Sequence, residues 1–215
     1  MLFDEAKLTK TVSMLPFKQR VAFAAACCER LLPNYLAFVV MEGWGNQTTM
    51  QQALNEIWSF LHGGVLSEQR VQELRTACEA VMPDSEDFTS IFTGPAQNAA
   101  SAIIYTLECC LDGESERIAM VGRLAIHTID DYLNIVNDPM TDVHGSDAAF
   151  DQWLEQAPLM VAEVDAQQQD LGLLKLYAEP DPDSLEDLRR SSSTKGIQPF
   201  ARGMVRLPDT ETDMM

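Results

Sequence analysis

Apolar residues recur along this chain at spacings of three and four, and no run of convincing length alternates with the period of two that a half-buried strand needs. The pattern predicts a first helix over residues 4–15, stopped by Pro16. A second, over about 17–32, sets Phe17, Val21, Ala24, Ala25, Cys28, Leu31 and Leu32 on one stripe. Pro33 breaks that helix or opens a new turn, where its missing N–H costs least. A helix over about 34–42 then ends at Gly43-Trp44-Gly45, a C-terminal glycine signal. Thr48 or Thr49 caps the next, which runs to His62, and Ser67 begins another that reaches Val81.

The second half follows the same grammar. Asp84-Ser85-Glu86-Asp87 reads as a helix start whose acids complement the dipole. Gly94-Pro95 opens a long helix to Asp112, closed by Gly113, with Ala99, Ala100, Ile103, Leu107, Cys110 and Leu111 inward. Ser115 caps a helix over about 116–137, which turns Ile118, Val121, Ala125, Ile129, Tyr132 and Val136 to the core. Ser146 caps a further helix through Gln156, and Pro158 starts or kinks the last one, to about Ala178. The expected fold is all-α: a single-domain multi-helix bundle over residues 1–178. Beyond it, prolines, acids and the run Ser191-Ser192-Ser193-Thr194 predict a mostly irregular tail over 179–215, with one turn of helix at about 184–190.

Charge sharpens this picture. Lysine and arginine number 15 against 33 aspartates and glutamates, a net of −18, which argues against binding a phosphate backbone and predicts no nucleic-acid partner. The acids are uneven: residues 1–60 balance five against five, whereas 61–177 carry 20 acids and five bases. A neutral N-terminal quarter beside an acidic body marks the first helices as the most enclosed part. The opening residues lack a basic stretch followed by an apolar one, and the apolar runs 21–28 and 31–41 are divided by Glu29-Arg30 and broken by Pro33. No export signal and no membrane partner are expected. Five cysteines, at 27, 28, 78, 109 and 110, form an odd set with two adjacent pairs, which argues for reduced thiols and a cytoplasmic setting.

Candidate chemistry is sparse. His127 and Asp131 stand one helical turn apart, a spacing that can bring imidazole and carboxylate to one metal or orient a general base. The helical wheel puts them opposite the apolar stripe beside Arg123, which favours a solvated salt-bridging face. No Glu-x-x-His unit of a carboxylate-bridged dimetal bundle is present, since residues 59, 124 and 141 are Ser, Leu and Thr. Cys27-Cys28 and Cys109-Cys110 lack redox or zinc spacing; Cys28 and Cys110 fall on apolar stripes, with Cys27 and Cys109 half exposed on the flanks. Glu29 and Glu108 each adjoin a cysteine pair. If Glu29 is buried, Arg30, Asn34 or Tyr35 are its expected partners, because a lone buried charge is expensive. No metal site and no cofactor are predicted.

The string Ala22-Phe23-Ala24-Ala25-Ala26-Cys27-Cys28-Glu29-Arg30-Leu31-Leu32-Pro33-Asn34-Tyr35, followed by Gly43-Trp44-Gly45, Ile57-Trp58 and Pro83-Asp84-Ser85-Glu86-Asp87-Phe88, resembles the bacterial family called domain of unknown function 416. The resemblance runs to about residue 175. It implies a small, all-helical bacterial protein and brings no catalytic residues with it. Two function classes follow. The first is a non-enzymatic interaction or assembly protein, as a homodimer or with a protein partner. The alternative is a metal-dependent or small-molecule enzyme whose site joins Glu29, Glu108, His127 and Asp131 between helices.

Overall fold

The structure, a computed structural model, describes residues 3–136, 147–176 and 180–196; among them are nine α-helices and no strand. They are α1 (Glu5–Ser13), α2 (Phe17–Glu42), α3 (Gln47–Leu61), α4 (Glu68–Glu79), α5 (Thr93–Asp112), α6 (Ser115–Val136), α7 (Asp147–Gln156), α8 (Pro158–Leu176) and α9 (Pro182–Thr194). The all-helical expectation holds.

α2 is the axle. Every residue from Val21 to Leu32 is buried, because α3, α5, α6, α8 and α9 all pack on it. Its alanines at 22, 24, 25 and 26 leave room for neighbours to approach on several sides, and α5, one of those neighbours, buries Ala96, Ala99, Ala100 and Ala102 beside Ile103 and Leu107. Pro33 does not interrupt it. The helix runs 26 residues, about 39 Å at 1.5 Å per residue, although Pro33 offers no N–H to the carbonyl of Glu29. Read continuously, α2 is long and apolar enough to cross a membrane, which the sequence reading missed by dividing it; 78% of its most apolar window is buried within the fold.

Other boundaries shift for identifiable reasons. Asn46, not a threonine, caps α3, its Oδ1 accepting from the amides of Thr48 (3.0 Å) and Thr49 (3.2 Å). Ser67 caps α4 as expected, at 3.2 Å from the Arg70 amide. Asp84-Ser85-Glu86-Asp87 makes one turn and no helix: the Asp84 carboxylate takes the Glu86 amide at 2.9 Å and its carbonyl takes the Phe88 amide. The Glu114 carboxylate serves the first amides of α6, those of Glu116 and Arg117, at 2.9 and 2.7 Å. On α5, Leu111 faces solvent while Cys109 is buried. Ser146 lies outside the described residues.

The largest difference concerns the segment expected to be irregular. Residues 182–194 form α9, three and a half turns long, capped by Asp181 on the Ser184 amide at 2.9 Å. Leu185, Leu188 and Ser192 are buried against α2, so the packed domain extends past residue 178. The remaining tail, 197–215, lies outside the described residues.

Gly43 and Gly113 close α2 and α5 in the left-handed region, at φ +63° and +62°. An added Cβ would meet nothing within 4 Å at Gly43 but would lie 2.3 Å from the ring of Phe17 at Gly113. Gly43→Ala should therefore cost about 1 kcal/mol, the strain of φ alone. Gly113→Ala should cost about 2–4 kcal/mol, strain plus overpacking. Urea unfolding of both variants checks this, and equal losses would contradict it.

Candidate functional site

The inner stripe of α8 runs Met160, Glu163, Val164, Gln167, Asp170, Leu171 and Leu174, all buried and spaced by three and four. Three of the seven are polar, and they answer one residue of α2. Arg30 is wholly buried. Its Nε and Nη2 donate to Glu163 at 2.9 and 3.1 Å, in the two-pronged geometry that suits guanidinium and carboxylate. Nη1 donates to Asp170 at 2.7 Å and to Ser192 of α9 at 3.4 Å, and Nη2 also reaches Cys27 Sγ at 3.3 Å.

Gln167 extends the network, donating to Glu163 (2.9 Å) and to the Gly122 carbonyl of α6 (3.0 Å). Gly122 has to be small there, since a Cβ would stand 2.9 Å from Leu8 and 3.0 Å from Gln167 Oε1. Burial pushes the Glu163 carboxyl above its ordinary range, and Arg30 opposes that shift. This cluster ties α2, α6, α8 and α9 at one point.

Glu29 faces another way. Adjacent residues on a helix point about 100° apart, so Arg30 turned to α8 cannot serve it. Its partner is Arg189 of α9, at 2.8 Å, whose guanidinium also lies 5.6 Å over the Trp58 ring. That corrects the expectation of Arg30, Asn34 or Tyr35. Burial raises the Glu29 carboxyl, and Arg189 pulls it back. Tyr35 instead donates to the Val81 carbonyl at 2.7 Å and accepts the Asn46 amide at 3.0 Å.

Glu108 joins α4, α5 and α6: it pairs with Arg75 and Arg117, both at 3.2 Å, at a partly exposed position. His127 and Asp131 are exposed on α6, while Arg123 beside them pairs with Glu5. Burial and then Asp130 raise the Asp131 carboxyl, with His127 opposing. Glu29, Glu108 and the His127–Asp131 pair thus have separate surroundings, and among the described residues no three histidines, cysteines or carboxylates are grouped to hold a metal. The polar cluster the structure does assemble, Arg30 with Glu163 and Asp170, was missed. Its signal was the i, i+4, i+7 spacing of Glu163, Gln167 and Asp170 inside an apolar stripe.

All five cysteines are free and buried, Cys27 and Cys109 included, because α2 and α5 are covered on both flanks. Burial drives their thiols upward, to about 12 for Cys28, Cys78 and Cys109. Cys28 shares a hydrogen bond with Thr106 at 3.2 Å.

One solvent-facing stretch of α2 and α3 carries little charge. Between Leu31 and Asn55 the chain has a single charged residue, Glu42. Where this stretch reaches solvent it presents Val40 (68% exposed), Met41 (44%) and Trp44 (37%). Beside them a groove of about 370 Å³ runs between α2 and α3, lined by Leu36, Gln47, Thr48, Gln51, Gln52 and Asn55. Leu36 and Val40 are one turn apart on the same face of α2.

Compared with known proteins, residues 7–198 match the family described as "Protein of unknown function (DUF416)". An uncharacterized protein of Haemophilus influenzae is 28% identical over 193 residues, 87% of this chain and 92% of that one. The uncharacterized protein YjaG of Escherichia coli is 30% identical over 112 residues, covering 52% and 57% of the two chains. The crystal structure of a DUF416 family protein from Shewanella baltica superposes with a TM-score of 0.79 at 23% identity, over 89% of this chain and 96% of that one, which shows a shared fold.

Arg30→Met should cost about 3–5 kcal/mol at neutral pH, because it strands two buried carboxylates. The Glu163 carboxyl, already raised by burial, then loses the guanidinium that opposes the shift, so the folded state binds more protons than the unfolded one and the loss grows as pH increases. Urea unfolding at acidic and mildly alkaline pH measures it; a pH-independent loss would contradict the ionic account. A thiol reagent should label none of the five cysteines in the native protein and all of them after denaturation.

Proposed function

We propose that this chain, which belongs to the DUF416 family of proteins of unknown function, is a cytoplasmic, non-enzymatic assembly protein that works as a homodimer. The observation that carries this reading is the weakly charged face of α2 and α3, with Val40 and Met41 exposed beside the groove at Leu36. Two copies each carrying −18 repel through almost any acidic surface. Glu42 is the single charged residue that positions 31–55 contribute to this face, so repulsion between two copies is small there.

The face is also suited to meeting itself. It carries an apolar projection and an apolar-floored groove side by side, so a two-fold axis can seat Val40 of each copy at Leu36 of the other. The glutamines and threonine lining the groove supply hydrogen bonds without adding charge. The enzyme alternative draws no comparable support, since Glu29 and Glu108 are paired with different arginines and His127 and Asp131 are exposed on α6.

Sedimentation equilibrium of the full chain tests the reading. A dimer is expected, tightening as salt screens the residual repulsion. Val40→Glu should weaken it on the order of 30-fold, as for a central interface residue, while leaving the circular dichroism unchanged. A monomer at all salt concentrations, or a dimer indifferent to Val40→Glu, would refute the proposed face.

A further inference from the structure

The buried cluster of α2 and α8 has unequal charges. Among the described residues it sets two carboxylates, Glu163 and Asp170, against one guanidinium. Arg30 gives Glu163 two N–H groups and Asp170 one, through Oδ2 alone. A carboxylate accepts at two oxygens and about four lone-pair sites, so Asp170 keeps acceptor capacity that Arg30 does not use. Yet Asp170 is only 2% exposed, and a surplus negative charge at that depth is costly.

Asp170 also forms part of the wall of a cavity of about 250 Å³ between α8 and α9. Leu174, Leu185 and Leu188 make its buried apolar sides, and Leu173 stands at the solvent edge. The polar side chains around the rim have partners outside the lining. Lys195 donates to Gln169 at 3.1 Å, Asp187 pairs with Arg190, and the Ser184 hydroxyl donates to Asp181 at 2.8 Å. Asp170 brings the second carboxylate of the buried cluster to the cavity wall, among leucines, and the lining's one lysine, Lys195, is turned to Gln169.

We propose that this cavity binds a small organic ammonium ion, its N–H groups on the Asp170 carboxylate and its carbon chain against Leu174, Leu185 and Leu188. A cationic head neutralises the surplus charge of the cluster and donates to the acceptor sites that Arg30 leaves over. The leucines favour an aliphatic chain over a bare metal ion, which would keep its water shell. At about 30 Å³ for each water-sized group, the space takes roughly eight non-hydrogen atoms. That is the size of a short alkylamine or diamine. An anion would meet the carboxylate head-on and is excluded. The cavity shares no lining residue with the groove of the dimer face.

Isothermal titration calorimetry and thermal unfolding of the full chain with hexylamine test it, with hexan-1-ol as the neutral isostere and magnesium chloride as the bare-charge control. Saturable one-to-one binding of hexylamine and a rise in Tm are expected. Hexan-1-ol should bind at least about tenfold more weakly, the equivalent of one charge-assisted hydrogen bond. Asp170→Asn should abolish the preference for the amine. Because that change touches the buried cluster, Leu173→Lys provides a second variant at the exposed edge: its tethered ammonium should raise Tm by itself and block hexylamine. Val40→Glu should bind hexylamine as the parent does. No saturable binding at millimolar amine, equal binding of hexan-1-ol, an equal response to magnesium, or unchanged binding in both cavity variants would overturn the assignment.

Discussion

A guanidinium cannot give up its proton inside a protein, so an arginine with no solvent exposure dictates what surrounds it. Arg30 sits on the central helix, and each nitrogen of its fork requires an acceptor. Glu163 and Asp170 meet that demand only when α8 turns one particular stripe inward; a rotation of one residue, about 100°, would remove both. Gln167 then reaches the Gly122 carbonyl, which fixes α6 against α8, and Ser192 brings in α9. The hydrophobic core supplies the driving force for packing. The arginine selects which packing.

α2 changes character along its length. From Val21 to Leu32 it is enclosed on all sides, and its identity is settled by neighbours it must fit. From Leu36 to Met41 it has one covered face and one open one. Pro33 stands between the two stretches. The same nearly neutral composition serves both: the first stretch is enclosed, and the second presents a weakly charged surface to solvent.

Helices with strong local punctuation were legible in the sequence. Pro16, Ser67, Gly43 and Gly113 mark real ends because each acts through its own backbone geometry or side chain. Pro33 and Asp84-Ser85-Glu86-Asp87 depart from expectation because tertiary packing overrides local preference: α2 continues through its proline with five helices packed on it, and Asp84 satisfies its own turn instead of a helix. The tail was misread on composition. Only three residues of α9, Leu185, Leu188 and Ser192, are buried, too few to register beside its acids and serines. Glu29 and Arg30 illustrate the limit for sites. Their burial was foreseeable from the alanine-rich surroundings, but their partners are 133 to 162 residues away, and spacing along a helix carries no information about that.

That separation bears on how the chain is made. Ribosomes add about 5–20 residues per second, so roughly 7–27 seconds pass between the emergence of Arg30 and that of Glu163. Through that interval the nascent chain holds its longest helix with a fixed positive charge at the middle and no carboxylate from α8 to meet it. α3 and α5 can gather on it early, but the flank reserved for α8 and α9 stays open until synthesis is nearly complete. The helix that organises the finished fold is thus the segment longest exposed to premature association, and a growing chain of this kind has reason to depend on chaperones until its last helices arrive.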